Sequence, residues 1–323
     1  MFFTLALTTL ILEAAVGYPQ SLYRRIGHPV SWVGHLIAWC DTRWNKRQDA
    51  FATRRLWGVV TLALCLAVVF VASMACVLAV NNAIAWPVNL ILLALLASSL
   101  IAQRSLHDHV AAVAVALEQH GLDDARKAVS MIVGRDPASL DAHAVSRAAI
   151  ESLSENFSDG IVAPTFWLVL GGLPGAALYK AVNTADSMIG HKSDRYRAFG
   201  WAAARLDDLI NLPASRLSAF WIMLAACLLR DTSGPASLKA VLRDASAHRS
   251  PNAGWPESAM AGALGLKLAG PRVYAGVKVE DHWMGDGRAE AQAADIRRAL
   301  SVYRLACLLQ AGVIAALAML FST

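Results

Sequence analysis

The chain has 323 residues, 56% of them hydrophobic and 16% charged, with a mean hydropathy of +0.45 and a formal net charge of +5. Those values exclude an ordinary soluble enzyme, which is less apolar, and a pure lipid-buried bundle, which carries fewer charges. They describe a membrane protein with substantial aqueous loops.

Residues 1 to 17 are apolar, but no basic segment precedes them and Glu13 interrupts them, so they read as a retained first helix rather than a cleaved signal. From Leu56 to Gln103 no charged residue occurs over 48 positions. At 1.5 Å per residue that length predicts two crossings of about 30 Å, joined by a tight turn at Asn81-Asn82 ahead of Pro87. Val302 to Phe321 is a further span. Ile161 to Tyr179, broken by Gly171-Gly172-Leu173-Pro174-Gly175, and Leu217 to Leu229 are short enough to be re-entrant or interfacial. The total is about 4 to 6 membrane-embedded helices.

Residues 104 to 160 and 230 to 300 show amphipathic helical patterning, and runs of Val, Ile and Thr bounded by hairpin turns are absent. The expected fold is all-α, without a sheet of any size: a polytopic membrane protein with amphipathic cytoplasmic helices. No low-complexity linker divides residues 1 to 323, which read as a single membrane-embedded unit. Arg24, Arg25, Arg43, Lys46, Arg47, Arg54 and Arg55 cluster in 18 to 55, whereas the Asn81-Asn82 turn carries no Lys or Arg. The positive-inside rule makes the former cytoplasmic, and 104 to 160 and 230 to 300 follow. It also accounts for the net charge without invoking nucleic acid. The five cysteines lack CxxC or Cys/His spacing and read as packing residues.

Three carboxylates, Glu151, Glu155 and Asp159, follow one another at intervals of four. On a regular helix they share one stripe, where like charges repel by a few tenths of a kcal/mol per pair unless a cation or proton holds them. Oxygen donors so placed suit Mg²⁺. A second cluster, Tyr179 to Lys192, sets Asn183 and Asp186 on one face, with Gly190 ending the helix ahead of His191 and Lys192. Asp207 and Asn211 are an i, i+4 pair with Asp208 and Arg205 beside them, and Ser250-Pro-Asn-Ala-Gly-Trp-Pro-Glu257 is a rigid loop carrying Asn252 and Glu257 into a helix start. His28-Pro29 reads as a turn near a membrane boundary. No P-loop and no nucleophile elbow occurs.

Together, His28-Pro-Val…Gly34, Glu151 to Gly160, Tyr179 to Gly190, Phe199 to Asn211 and Ser250 to Glu257 resemble the cobalamin-biosynthesis CobD/CbiB family, the membrane-bound adenosylcobinamide-phosphate synthases. The resemblance covers nearly the whole chain in order. It departs at Gly17-Tyr18-Pro19, where the family usually has Gly-Asp-Pro; Glu13 is the residue that could compensate. What it implies is an ATP-dependent acid-amine ligase at the cytoplasmic (inner) membrane. Such an enzyme attaches aminopropanol, generally as its O-phosphate, to the f-propionate of adenosylcobyric acid. On that basis Glu151, Glu155, Asp159, Asp186, Asp207 and Asp208 are expected to hold Mg²⁺ and nucleotide phosphate. Asn183, Asn211, Asn252, Arg205 and Glu257 are expected to bind substrate, and Lys192 to offset phosphate charge. His191 or His28 is expected to take the proton of the attacking amine. Expected partners are the corrinoid, aminopropanol phosphate and the lipid bilayer, with further copies of the chain or other pathway enzymes in addition.

Without the resemblance two other classes compete. An intramembrane prenyl or phosphoalcohol transferase also sets acidic motifs on helices near the bilayer surface. A corrinoid-handing transporter or scaffold instead would keep acids within its spans.

Overall fold

The computed structural model describes residues 2–18, 24–25, 27–134, 137–270, 272–274, 277–279 and 281–321. In chain order the helices are α1 (Phe2–Val16), α2 (Pro29–Trp44), α3 (Phe51–Ala83), α4 (Val88–Ser98), α5 (Gln103–Gln119), α6 (Leu122–Ser130) and α7 (Ala142–Phe157). A π-helical turn (Ser158–Val162) leads into α8 (Ala163–Ile189). Then come α9 (Trp201–Ile210), α10 (Leu212–Leu228), α11 (Gly234–Asp244), α12 (Gly254–Leu264) and α13 (Ala293–Leu320).

Local chemistry explains several starts. Pro29 opens α2 where its missing N–H costs nothing, and His28 caps it by accepting the Val30 N–H at Nδ1, 3.2 Å. Asp141 caps α7 through the Ala144 N–H at 2.7 Å, and Ser233 caps α11 through Ala236 at 3.2 Å.

Four helical stretches are long and apolar enough to cross a membrane: Phe51–Ala83, Val88–Gln119, Ala142–Ile189 and Ala293–Leu320. Trp201–Ile210 with Leu212–Leu228 makes a fifth if that pair, bent by 44°, is one broken span. The all-α polytopic fold is therefore as the composition requires, with differences of detail. α1 has 15 residues and is short for a crossing. Asn81 and Asn82 lie inside α3, so the turn falls four residues later, at Ile84–Pro87. Short strands also occur, β1 (Leu268–Ala269) with β4 (Trp283–Met284) and β2 (Arg272–Tyr274) with β3 (Val277–Val279), both antiparallel. At two or three residues each they are too short to impose an alternating pattern on the sequence.

A chain without a linker reads as one unit, yet the structure groups it into two compact ones, each gathered from separate stretches. The first comprises Met1–Ala102, Ala163–Asn211 and Ile314–Thr323; the second comprises Gln103–Val162 and Leu212–Val313.

In the first unit, Ile37, Leu62, Cys65, Ala185, Ile189, Phe199 and Ala203 form a buried core that joins α2, α3, α8 and α9. The loop from α8 to α9 is tied down by polar contacts. Arg195 donates to Asp41 Oδ2 at 2.6 Å, Asn45 Nδ2 donates to Asp41 Oδ1 at 2.7 Å, and Arg54 donates to Asn45 Oδ1 at 2.8 Å. The Arg55 guanidinium lies 3.5 Å over the Trp201 ring at the start of α9. α8 is not straight. Gly172 takes φ 59°, ψ −156°, a left-handed break with Phe2 packed beneath it, and a Cβ on Gly175 would stand 2.3 Å from the Trp167 carbonyl oxygen. Eight helical residues span about 12 Å, so the chain turns sharply here. Pro174, lacking an N–H, falls where the next turn has no carbonyl to reach.

In the second unit, α11 and α12 pack with α10 and carry a charged brace. Arg243 donates twice to Asp244, at 2.7 Å each, and once to Asp286 at 2.6 Å, while the Gly285 N–H donates to Asp244 at 2.8 Å. Burial pushes the Asp244 carboxyl upward, but the Arg243 and Gly285 hydrogen bonds, the Arg243 charge and His282 outweigh it and hold the group below the usual carboxylate range.

Candidate functional site

The residues predicted to carry chemistry divide between the two units. In the first unit they come from two helices packed on each other, the second half of α8 and α9. Asn211, fully buried at the end of α9, accepts the Tyr179 hydroxyl at 3.0 Å and donates from Nδ2 to Asp207 Oδ2 at 3.0 Å. The Asn183 side chain also reaches the Asp207 carboxylate, and Lys180 Nζ donates to Asn183 Oδ1 at 3.2 Å. The result is a continuous polar chain, Tyr179–Asn211–Asp207–Asn183–Lys180. Trp167 supports it from the side, its indole N–H on the Ile210 carbonyl at 3.3 Å.

Asp207 Oδ1 is buried without a hydrogen-bond partner, and the charges of Asp186 and Asp208 both fall on Asp207. A buried carboxylate oxygen left open beside other carboxylates suits a cation or a proton. Around it, Arg205 stands 3.5 Å from Asp208, Lys192 is within electrostatic reach of Asp208, and His191 of Asp186. His191, Lys192 and Arg205 are exposed, so the cluster has an open, basic rim over an acidic and amide floor. Gly190 closes the floor. A Cβ there would lie 1.9 Å from Asp186 Oδ1, so only glycine lets the carboxylate fold back over the end of α8.

His28 serves the same unit differently. Its Nδ1 is the α2 cap, and its ring interacts with the Ser99 backbone. Burial first and the Lys180 charge second hold its pKa below the ordinary histidine value, the Ser99 bond opposing them. Tyr18, at the position where the resemblance expects Asp, donates its hydroxyl to the Gly27 carbonyl at 2.8 Å and sets its ring 4.7 Å from that of His28. Pro19 lies outside the described residues.

In the second unit the acidic stripe does not survive intact. Glu151 and Glu155 lie in α7, but Asp159 lies in the π-helical turn, whose wider winding shifts it off the register of an α-helix. Glu151 is 6% exposed, and its Oε1 accepts the Ala269 N–H at 2.9 Å, anchoring the strand β1. Glu155 is exposed and Asp159 half-buried. Asn252, buried, accepts from Ser215 at 3.1 Å and from Arg216 at 3.2 Å. Arg216 lies 4.3 Å over Trp255 and also donates to the Pro251 carbonyl at 3.3 Å. Glu257, in the first turn of α12 and 4% exposed, stands 3.9 Å from His248.

Among the described residues no three His, Cys, Asp or Glu side chains are grouped as a metal-ion site. The arrangement at Asp207 suits instead a cation held by one or two carboxylates and completed by phosphate and water, the usual manner of Mg²⁺. Sequence reasoning assigned no role to Tyr179, Lys180, Ser215 or Arg216. The signal for the first was its i, i+4 spacing from Asn183.

The family model described as CobD/Cbib protein matches residues 6–303. A Sinorhizobium sp protein named cobalamin biosynthesis protein CobD is 50% identical over 313 residues, covering 96% of each chain. Proteins of that name from Rhodobacter capsulatus and Brucella anthropi are 48% and 47% identical, covering 96% and 95% of this chain and 96% and 94% of their own. No solved structure matches. A family match across nearly the whole length, with relatives at half identity, places this chain in the CobD/Cbib family.

Proposed function

We propose that the chain acts in cobalamin biosynthesis as a membrane-embedded amide-forming enzyme, joining aminopropanol or its O-phosphate to the f-propionate carboxylate of adenosylcobyric acid. The names of the relatives support the pathway. The observation that carries the chemistry is the open, buried Asp207 Oδ1 at the centre of the Tyr179–Asn211–Asp207–Asn183–Lys180 chain, under a basic rim.

In this reading the substrate carboxylate attacks the terminal phosphorus of ATP and ADP leaves, giving an acyl phosphate. The amine then attacks the acyl carbon, inorganic phosphate leaves and one proton is released. Mg²⁺, when bound, neutralises phosphate charge. Asp207 and Asp186 are the residues that would hold it, and Asn183 and Asn211 fix the Asp207 carboxylate so that its open oxygen faces one way. Lys192 and Arg205 offset phosphate charge from the rim. His191, exposed and close to Asp186, is the acceptor for the amine proton; His28, engaged as a helix cap, supports the scaffold. We assign Asn252 and Glu257, in the loop and first turn of α12 in the second unit, to substrate binding there, and the Asp207 site of the first unit to the cytoplasmic surface.

Incubation of the purified chain with cobyric acid, ATP–Mg²⁺ and aminopropanol phosphate, followed by mass analysis, should yield cobinamide phosphate and stoichiometric ADP. Product from a polyprenyl diphosphate control and none from the corrinoid would instead establish a lipid-diphosphate transferase.

A further inference from the structure

Within the first unit a cavity of about 420 Å³ opens among α2, α3, α8 and the end of α4. Its size lies in the range of small-molecule sites, about 300 to 1,000 Å³. The wall is built of side chains such as Trp32, Leu36, Val69, Ala72, Leu100 and Ala177. Its hydroxyls are turned away from the lumen. Ser73 donates to the Val69 carbonyl, Ser99 to Leu96 and Thr184 to Lys180, each at 2.7 Å along its own helix. Among the lining residues the sole charged side chain is Lys180.

Two kinds of occupant are disfavoured by that wall. A corrin or a nucleotide would bury amide and phosphate groups against carbon, at a cost of several kcal/mol for each group left unpaired. Water needs two to four polar partners and finds few. The surroundings point to lipid: α3 is a membrane-crossing helix whose Val68, Phe70 and Val71 are 47%, 45% and 65% exposed, and Val68 also lines the cavity. The cavity therefore opens on a face that meets acyl chains.

We propose that this cavity binds one acyl chain bearing an anionic head, the chain among α2, α3 and α8 and the head at the Lys180 ammonium. The same ammonium donates to Asn183 Oδ1, so an occupied cavity and the polar chain of α8 and α9 share one cation. The proposal is independent of the reaction catalysed.

The test uses the full chain purified in neutral detergent and stripped of lipid. It is offered dioleoyl phosphatidylglycerol, dioleoyl phosphatidylcholine or oleate, and retained molecules are counted by native mass spectrometry. The expected result is one retained anionic molecule per chain, with phosphatidylcholine held about tenfold less well, the size of one charge-assisted contact. Retention of phosphatidylglycerol but not oleate assigns a membrane lipid, and the reverse a free fatty acid; either supports an anionic acyl ligand. Lys180→Met should abolish the preference for anionic heads. Ala177→Phe, which fills the lumen, should abolish retention, and Ala72→Phe does the same from the opposite wall should the first variant not fold. Equal retention of both phospholipids by the wild-type chain, a measurement that needs no variant, would overturn the proposal, as would unchanged retention in a folded filling variant.

Discussion

Asn211 and Asp207 stand one helical turn apart at the end of α9, and the amide of the first holds one oxygen of the second at 3.0 Å while the other oxygen is left open. Because Asn211 also accepts the Tyr179 hydroxyl, its side chain joins α8 to α9 as well as orienting the carboxylate. Asn211→Ala should therefore cost about 1 to 3 kcal/mol of stability, the penalty for two buried groups losing a partner. Turnover should fall further than stability. Tyr179→Phe removes the hydroxyl alone and leaves Asn211 on Asp207, so it should lower the melting temperature with a smaller loss of turnover. Denaturation and product formation measured on both variants decide the matter; equal activity losses would mean that the amide does not orient Asp207.

Gly190 offers a way to disturb Asp186 without altering an acid. A methyl group at Gly190 would overlap Asp186 Oδ1, so Gly190→Ala should displace the carboxylate and reduce turnover by at least about tenfold, with an overpacking cost of about 1 to 3 kcal/mol. Asp186→Asn in the same background should add little. Full additivity of the two losses would show that they act on separate features.

For Glu151 the structure and the expectation of a metal ligand give opposite outcomes. Its buried oxygen receives the Ala269 N–H, a contact that glutamine can keep through its own carbonyl. Glu151→Gln should retain both stability and most activity, whereas Glu151→Ala should destabilise by about 1 to 3 kcal/mol. Turnover abolished in a stable Gln variant would restore the ligand role.

His28 sets a pH window. Its folded pKa lies below the unfolded value near 6.5, so the unfolded chain binds the proton more readily. The stabilisation is complete above about 6.5 and is lost as pH falls from there toward the folded pKa. Thermal unfolding followed from pH 7.5 to 5 should show that decline. His28→Asn keeps a capping side chain and should flatten it. A decline of the same size in the variant would assign the effect to other groups.

Much of this is legible in the residue order itself. The apolar run from Leu56 to Gln103 announced α3, long enough to cross by itself, and α4, whose 11 residues reach crossing length only when continued to Gln119. The Asn183/Asp186 and Asp207/Asn211 spacings gave one helix face each, because 3.6-residue periodicity is written directly in the residue order. Asp159 shows where that logic stops, since it presumes a regular helix and a single π turn removes the regularity; Gly160 inside that turn and Pro164, which has no N–H for the carbonyl four residues back, are its only marks in the sequence. Lys180 and Arg216 were passed over because a lone basic residue looks like a membrane anchor or a surface charge. Only tertiary structure reveals that one faces a cavity and the other grips a loop from the facing helix. The two units were invisible for a related reason: each is stitched from distant stretches, so no composition change marks their borders.

The break at Gly172 frees the far half of α8 from its near half in rotational phase. In an uninterrupted helix, one residue gained or lost toward the start would swing every later side chain by about 100°. Here the left-handed residue and the proline after it absorb such a slip. A residue gained or lost before the break would thus leave Tyr179, Asn183 and Asp186 with their bearing unchanged.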